Sequence, residues 1–425
     1  MAERPRRSNR PRAADFTTPL TIPGGAVGGA DVVRELAPEV ALPVWQTLRS
    51  VLMWAGEEPA LRGDLFEPCA MEDWEAELLQ DSWEPDVRCP LAVLVGELAK
   101  PVDASAETIA RACLCVTDWA LERGHTATAL AFAEAAALAW PQQPRYSWIT
   151  GRLLRAEGRL REAEQWFKRS ERAAVASQDY EGRTMALQSL GNLLQAQGNY
   201  RAAGKKQLDA LRLTKRHRLA DREGEILHDL LVVSHALRDL AQAEAYGRAA
   251  LEAYRPGHPR LPTLAHDVAW IWIDRGYFAR ALSVLRVLPP LFAAPHERVM
   301  ALGSAARAAG ACGDQDLFTS YHDEVWEHVH ASPSGQGVAS ALFEVANGAL
   351  DLGDWDKAAN ALRHAENVAR ARGEQDVVSK AEQTLGDIAR RKESELPQRP
   401  WTRGDDSLAR AFVRSLQSLE GVNAA

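Results

Sequence analysis

Residues 189–211 read SLGNLLQAQGNYRAAGKKQLDAL. Leu187, Leu190 and Leu194 recur at helical spacing, with the small Gly191 beside Leu190. Gly198 and Asn199 interrupt that series, and Tyr200, Ala203, Gln207 and Ala210 begin another. The pattern predicts two amphipathic helices joined by a tight turn.

The same punctuation returns along the chain. Residues 150–170, TGRLLRAEGRLREAEQWFKRS, carry Gly151, Leu154, Gly158, Ala163 and Phe167 at matching offsets. Residues 266–288, HDVAWIWIDRGYFARALSVLRVL, carry Ala269, Gly276, Phe278, Ala281 and Leu285. Residues 342–365, LFEVANGALDLGDWDKAANALRHA, carry Ala346, Gly353, Trp355, Ala358 and Leu362. Further copies centre on Gly124, Arg238 and Gly313. The turn position thus falls at 124, 158, 198, 238, 276, 313 and 353, and only residue 238 is not glycine. A fixed period of this length is the signature of a repeat array.

The array resembles tetratricopeptide repeats: Leu at the seventh position, Gly or Ala at the eighth, Ala at the twentieth and twenty-seventh. The longer spacings resemble the extended-helix variety of kinesin light chains and bacterial peptide-sensing regulators. The resemblance covers residues 106–391 and implies an all-α fold, a right-handed α-solenoid of about seven helix pairs. Small residues let helices approach, and large ones fill the space between neighbouring pairs. One pair cannot bury its apolar face alone, so stability comes from stacking.

The ends differ. Residues 1–30 carry five arginines without an apolar stretch after them, which predicts a disordered basic arm. Residues 31–105 form a Trp-rich helical region with Trp45, Trp54, Trp74 and Trp83, either a cap over the first repeat or a partner surface. Residues 376–391 read as a capping helix, and residues 392–404 as a linker. Residues 405–425 form an amphipathic helix with Leu408, Phe412 and Leu416 on one stripe. Such a helix needs a groove, on its own array or on another molecule.

In the related fold the first helix of each pair lines the concave surface. Carrying that register over, the resemblance implies a peptide-binding groove of Arg145, Trp148, Arg152, Arg155, Gln188, Asn192, Gln195, His228, His235, His266, Trp270, Arg307 and Asn347. Amide side chains suit the backbone of an extended peptide, Arg forks hold carboxylates, and Trp anchors apolar groups. Asn192 matches the asparagine that peptide-binding members carry. Gln188, Glu225 and Asp229 depart from the carboxylate clamp of chaperone-tail binders.

Competing chemistry is sparse. His228-Asp229, His266-Asp267 and His322-Asp323 invite a metal-dependent hydrolase reading, since His and Asp are good divalent ligands. The repeat register argues against it, because the first two pairs are equivalent positions of successive repeats. Lys205, Lys206, Arg212, Lys215, Arg216, His217 and Arg218 cluster on one second helix. The net charge of −8 and the lack of interleaved aromatics argue against nucleic acid. The five cysteines match no metal spacing. No run reaches membrane-spanning length, and a cytoplasmic location follows as the default.

The expectation is therefore a protein- or peptide-binding scaffold with no enzymatic activity, cofactor or metal. The alternative is a ligand-sensing regulatory subunit acting on a transcription or signalling partner. The metal-dependent hydrolase is the remote third.

Overall fold

A stretch of alternating small and large apolar residues can bury one helix face at a time, and the punctuation decides where each helix ends. In the computed structural model, which describes residues 29–80, 84–255, 257–390 and 406–423, every regular element is helical. The arm up to residue 28, Trp83 and the linker lie outside the described residues.

The chain divides into two compact units, Met1–Leu193 and Leu194–Ala425. The first holds α1 (Gly29–Glu35), α2 (Pro38–Gly56), α3 (Pro68–Gln80), α4 (Pro85–Leu98), α5 (Ala106–Glu122), α6 (Thr126–Ala139), α7 (Pro144–Ala156), α8 (Leu160–Ser177) and most of α9 (Tyr180–Ala196). Hairpins α5–α6 and α7–α8 follow the predicted rule. Ser105 caps α5 by accepting a hydrogen bond from the Thr108 amide. The turns after α5 and α7 place Gly124 and Gly158 at positive φ.

The N-terminal helices pack on the first hairpin: α1 and α2 on α6, and α4 on α5. The Glu35 carboxylate accepts from the amides of Ala127 and Thr128, which caps α6 across a long sequence distance. Trp54 is buried, its indole N–H donates to the Pro101 carbonyl at 2.7 Å, and Arg62 stacks on its face. Trp74 also packs against this core, whereas Trp45 is only half-buried beside Arg49.

The second unit holds α10 (Tyr200–His217), α11 (Ala220–Ala236), α12 (Leu240–Ala253), α13 (Leu261–Asp274), α14 (Phe278–Leu285), α15 (Pro295–Ala311), α16 (Gln315–Ala331), α17 (Val338–Asp351), α18 (Trp355–Arg372), α19 (Gln375–Ala389) and α20 (Ser407–Asn423). Hairpins α11–α12, α13–α14, α15–α16 and α17–α18 repeat the pattern, and α19 packs on α18. Gly198, Gly276, Gly313 and Gly353 take positive φ at the turns, and so does Arg238, with φ of 64°. The turn geometry therefore persists where the glycine does not. L-residues with a Cβ enter that region at a cost of about 1 kcal/mol.

One hairpin departs from the others. Its second helix, α14, has 8 residues, against 14 to 18 in α6, α8, α10, α12, α16 and α18. Pro289 and Pro290 explain the stop: proline lacks an amide donor and disfavours helix in the residue before it. A short 3-10 turn, Pro289–Leu291, follows.

Candidate functional site

In the first unit, α7 presents Arg145, Trp148, Arg152 and Arg155 at i, i+3, i+7 and i+10, one stripe of a helix. The three arginines are exposed and Trp148 is half-buried. The Trp148 indole N–H donates to Ser189 Oγ of α9 at 2.8 Å. The Arg152 guanidinium lies 4.8 Å from the same ring, a cation–π contact that orients the cation along the surface. On α9, Gln188 is only 9% exposed and Asn192 half-buried. Little of the Gln188 side chain is left to meet a ligand.

In the second unit the expected groove residues His228, His235, His266 and Arg307 are engaged by side chains of the following repeat. His228 is 3% exposed, and its Nε2 lies 2.8 Å from Asp267 Oδ2 on the first helix of the next hairpin. An ionised carboxylate only accepts, so Nε2 carries a proton, and Nδ1 lies 3.3 Å from the Tyr254 hydroxyl. Seven residues on, His235 Nε2 meets Asp274 Oδ2 at 2.9 Å, and Arg238 donates to the same oxygen at 2.7 Å. His266 Nε2 lies 3.1 Å from Ser304 Oγ on α15, and Arg307 pairs with Glu344 of α17 at 2.7 Å. Half-buried Trp270 stands beside His266, and the Asn347 amide donates to the Phe343 carbonyl. Gln195, at the end of α9, is half-buried.

These contacts tune the acids. Burial alone would raise Asp267, but the hydrogen bond from His228, with His266 close by, outweighs it and holds the carboxyl well below its usual range. The hydrogen bond from His235 lowers Asp274 against its burial, with help from Arg238. Glu344 goes the other way: burial raises it despite Arg307. Burial also pushes the Tyr254 phenol up.

The sequence reading identified the histidines but not their acceptors. His228 does not use its neighbour Asp229 in this ladder; it uses the aspartate of the next repeat. The signal was present as spacing, since His228 and Asp267, like His235 and Asp274, are one repeat apart. The metal-dependent hydrolase reading drew on His228-Asp229, His266-Asp267 and His322-Asp323; in the structure His228 meets Asp267 and His266 meets Ser304. Among the described residues, no group of three or more His, Cys, Asp or Glu is placed to hold a metal ion. In the basic cluster of α10, Arg212 pairs with Asp209 and Lys215 lies near Glu223. No helix among the described residues is long and apolar enough to cross a membrane.

No protein-family model matches the sequence, and no curated protein does. Solved structures do match by fold. One is the apo form of RapI, at 11% identity over 62% of this chain and 99% of that one, with a TM-score of 0.50. Another is a signal transduction ATPase with numerous domains from Pyrococcus horikoshii that has a tetratricopeptide repeat sensor. It shows 12% identity over 75% of this chain and 55% of that one, with a TM-score of 0.51. A third is pilF of Pseudomonas aeruginosa, at 18% identity over 59% of this chain and 98% of that one, with a TM-score of 0.42. By its helical hairpins, its turn geometry and the first two of these likenesses, the chain has the tetratricopeptide-repeat fold of the α-solenoid class.

Proposed function

We propose that this chain is a non-enzymatic, cytoplasmic binding scaffold whose α7 face captures an acidic extended segment of a partner protein. The observation that carries this reading is the Arg145, Arg152 and Arg155 stripe with Trp148 beneath Arg152. Guanidinium groups bind carboxylates with fixed geometry, and an aromatic ring beside them adds apolar contact at low entropic cost. The ladder residues of the second unit support the scaffold by holding successive hairpins in register.

The test is charge reversal. The Arg152→Glu, Arg155→Glu double variant keeps its far-ultraviolet dichroism and loses, by at least tenfold, partners that the wild type enriches from extract in quantitative mass spectrometry. Equal capture by both proteins refutes the reading.

A ligand-sensing regulatory subunit is the second reading. It draws on the polar joint between α11 and α13, where hydrogen bonds can re-pair without opening an apolar core. The sensor described for the Pyrococcus horikoshii protein has the same kind of fold. A sensor changes its small-angle scattering profile when the captured segment is added as a peptide; a rigid scaffold does not.

A further inference from the structure

The shortened hairpin has a second occupant. Helix α20 packs against α13 and the shortened α14. Leu408, Phe412 and Leu416, spaced by one helical turn, are almost fully buried, and Phe412 stands edge-on to the ring of Trp272 at 6.4 Å. Trp272 itself is 0% exposed, and the Arg280 guanidinium of α14 covers it at 4.2 Å while pairing with Glu244. The other side of α20 is polar, with Arg410, Arg414, Gln417 and Ser418 exposed. This is the helix-in-groove mode of recognition, met within one chain.

Two features separate α20 from an ordinary core helix. The first is covalent: residues 390–406 separate the end of α19 from the start of α20 in the chain, a longer connection than the turn of any hairpin described above. A tethered ligand binds at an effective concentration in the millimolar range, so modest intrinsic affinity suffices. The second is polar: Trp272 Nε1 and Arg280 Nε are buried with no hydrogen-bond partner beneath α20. Such groups weaken the fit of the occupant that covers them.

We propose that the α13–α14 groove is a helix-docking site and that α20 is its displaceable occupant, bound in cis and blocking the groove until it is released. The recognition pattern is an amphipathic helix with apolar side chains at i, i+4 and i+8 and a polar, cationic outer face.

The experiment uses the full chain and a fluorescent peptide of residues 406–423. In the Phe412→Asp, Leu416→Asp variant the internal helix is released, and the peptide binds at least tenfold more tightly than it binds wild type. In unaltered wild type, the α20 amides exchange with deuterium at least tenfold faster than those of α13. A variant that unfolds, or folds and ignores the peptide, overturns the proposal and makes α20 a fixed part of the core. Equal exchange rates for α20 and α13 overturn it as well. A wild-type dimer in light scattering that Phe412→Asp converts to monomer also overturns it, because the occupant then comes from a second copy.

Discussion

Two joints within the second unit do the same job by opposite means. Between α11 and α13, successive first helices are tied by His228–Asp267 and His235–Asp274. Between α15 and α17 they meet backbone to backbone. A Cβ on Gly303 would stand 2.7 Å from the Ala341 Cα, and one on Gly310 would collide with the Gly348 carbonyl. Both pairs of contacts recur after seven residues, two turns of helix, so each joint has two rungs. The difference teaches that the repeat sets the spacing of a joint but not its chemistry. A glycine joint resists any added volume. A histidine–carboxylate joint depends on its aspartates staying ionised.

The largest effect should come from adding volume where none exists. Gly310→Val is expected to destabilise the chain by about 3 kcal/mol or more, since overpacking a close helix contact forces the backbone apart. Urea denaturation measures it, and a loss below about 1 kcal/mol would show that α15 and α17 separate freely. At the polar joint, His228→Ala is expected to cost about 2–3 kcal/mol, the penalty for leaving a partly buried carboxylate and Tyr254 without their partner. His235→Ala should cost less, because Arg238 still holds Asp274. If the two cost the same in denaturation, burial does not set the strength of the ladder.

The joints also separate by pH. Asp267 and Asp274 have folded-state pKa values below their unfolded ones. Their contribution is therefore complete above about pH 4 and is lost as pH falls through the lowered folded values. Unfolding free energy should drop on acidification, and the His228→Ala, His235→Ala double variant should flatten that slope. A slope unchanged by the double variant would place the acid sensitivity elsewhere. Glu344, raised by burial, has the opposite sign: protonating it favours the fold and offsets part of the acid loss, so Glu344→Gln should steepen that loss.

The smallest expected effect is at the turn before α12. Arg238→Gly relieves an L-residue from positive φ, worth about 1 kcal/mol, and gives up an exposed ion pair to Asp274 worth at most about that much. The net change in thermal midpoint should be slight and upward. A clear decrease would show that the Arg238 contact matters more to the polar joint than the strain does.

Much of the fold was legible because its rules are local. Gly198 and its counterparts mark turns because only a residue without Cβ enters that backbone region cheaply. Leu190, Ala203 and Ala210 mark buried faces through helical periodicity. The candidate site was legible in part. The α7 stripe follows from spacing on one helix, and the structure exposes those arginines. The expected groove of the second unit is different. His228, His235, His266 and Arg307 occupy the register positions named from sequence, but their side chains are engaged by Asp267, Asp274, Ser304 and Glu344 of the following repeat. Helical register says which way a residue points, not what waits there.

The sequence alone determined the period, the turns and the buried faces, because each depends on backbone dihedrals or on neighbours within a few residues. Tertiary structure alone decided which partner each polar side chain takes, how closely α15 approaches α17, and where α20 lies. Those outcomes depend on residues far apart in the chain, and only packing brings them within reach of a hydrogen bond or a van der Waals contact.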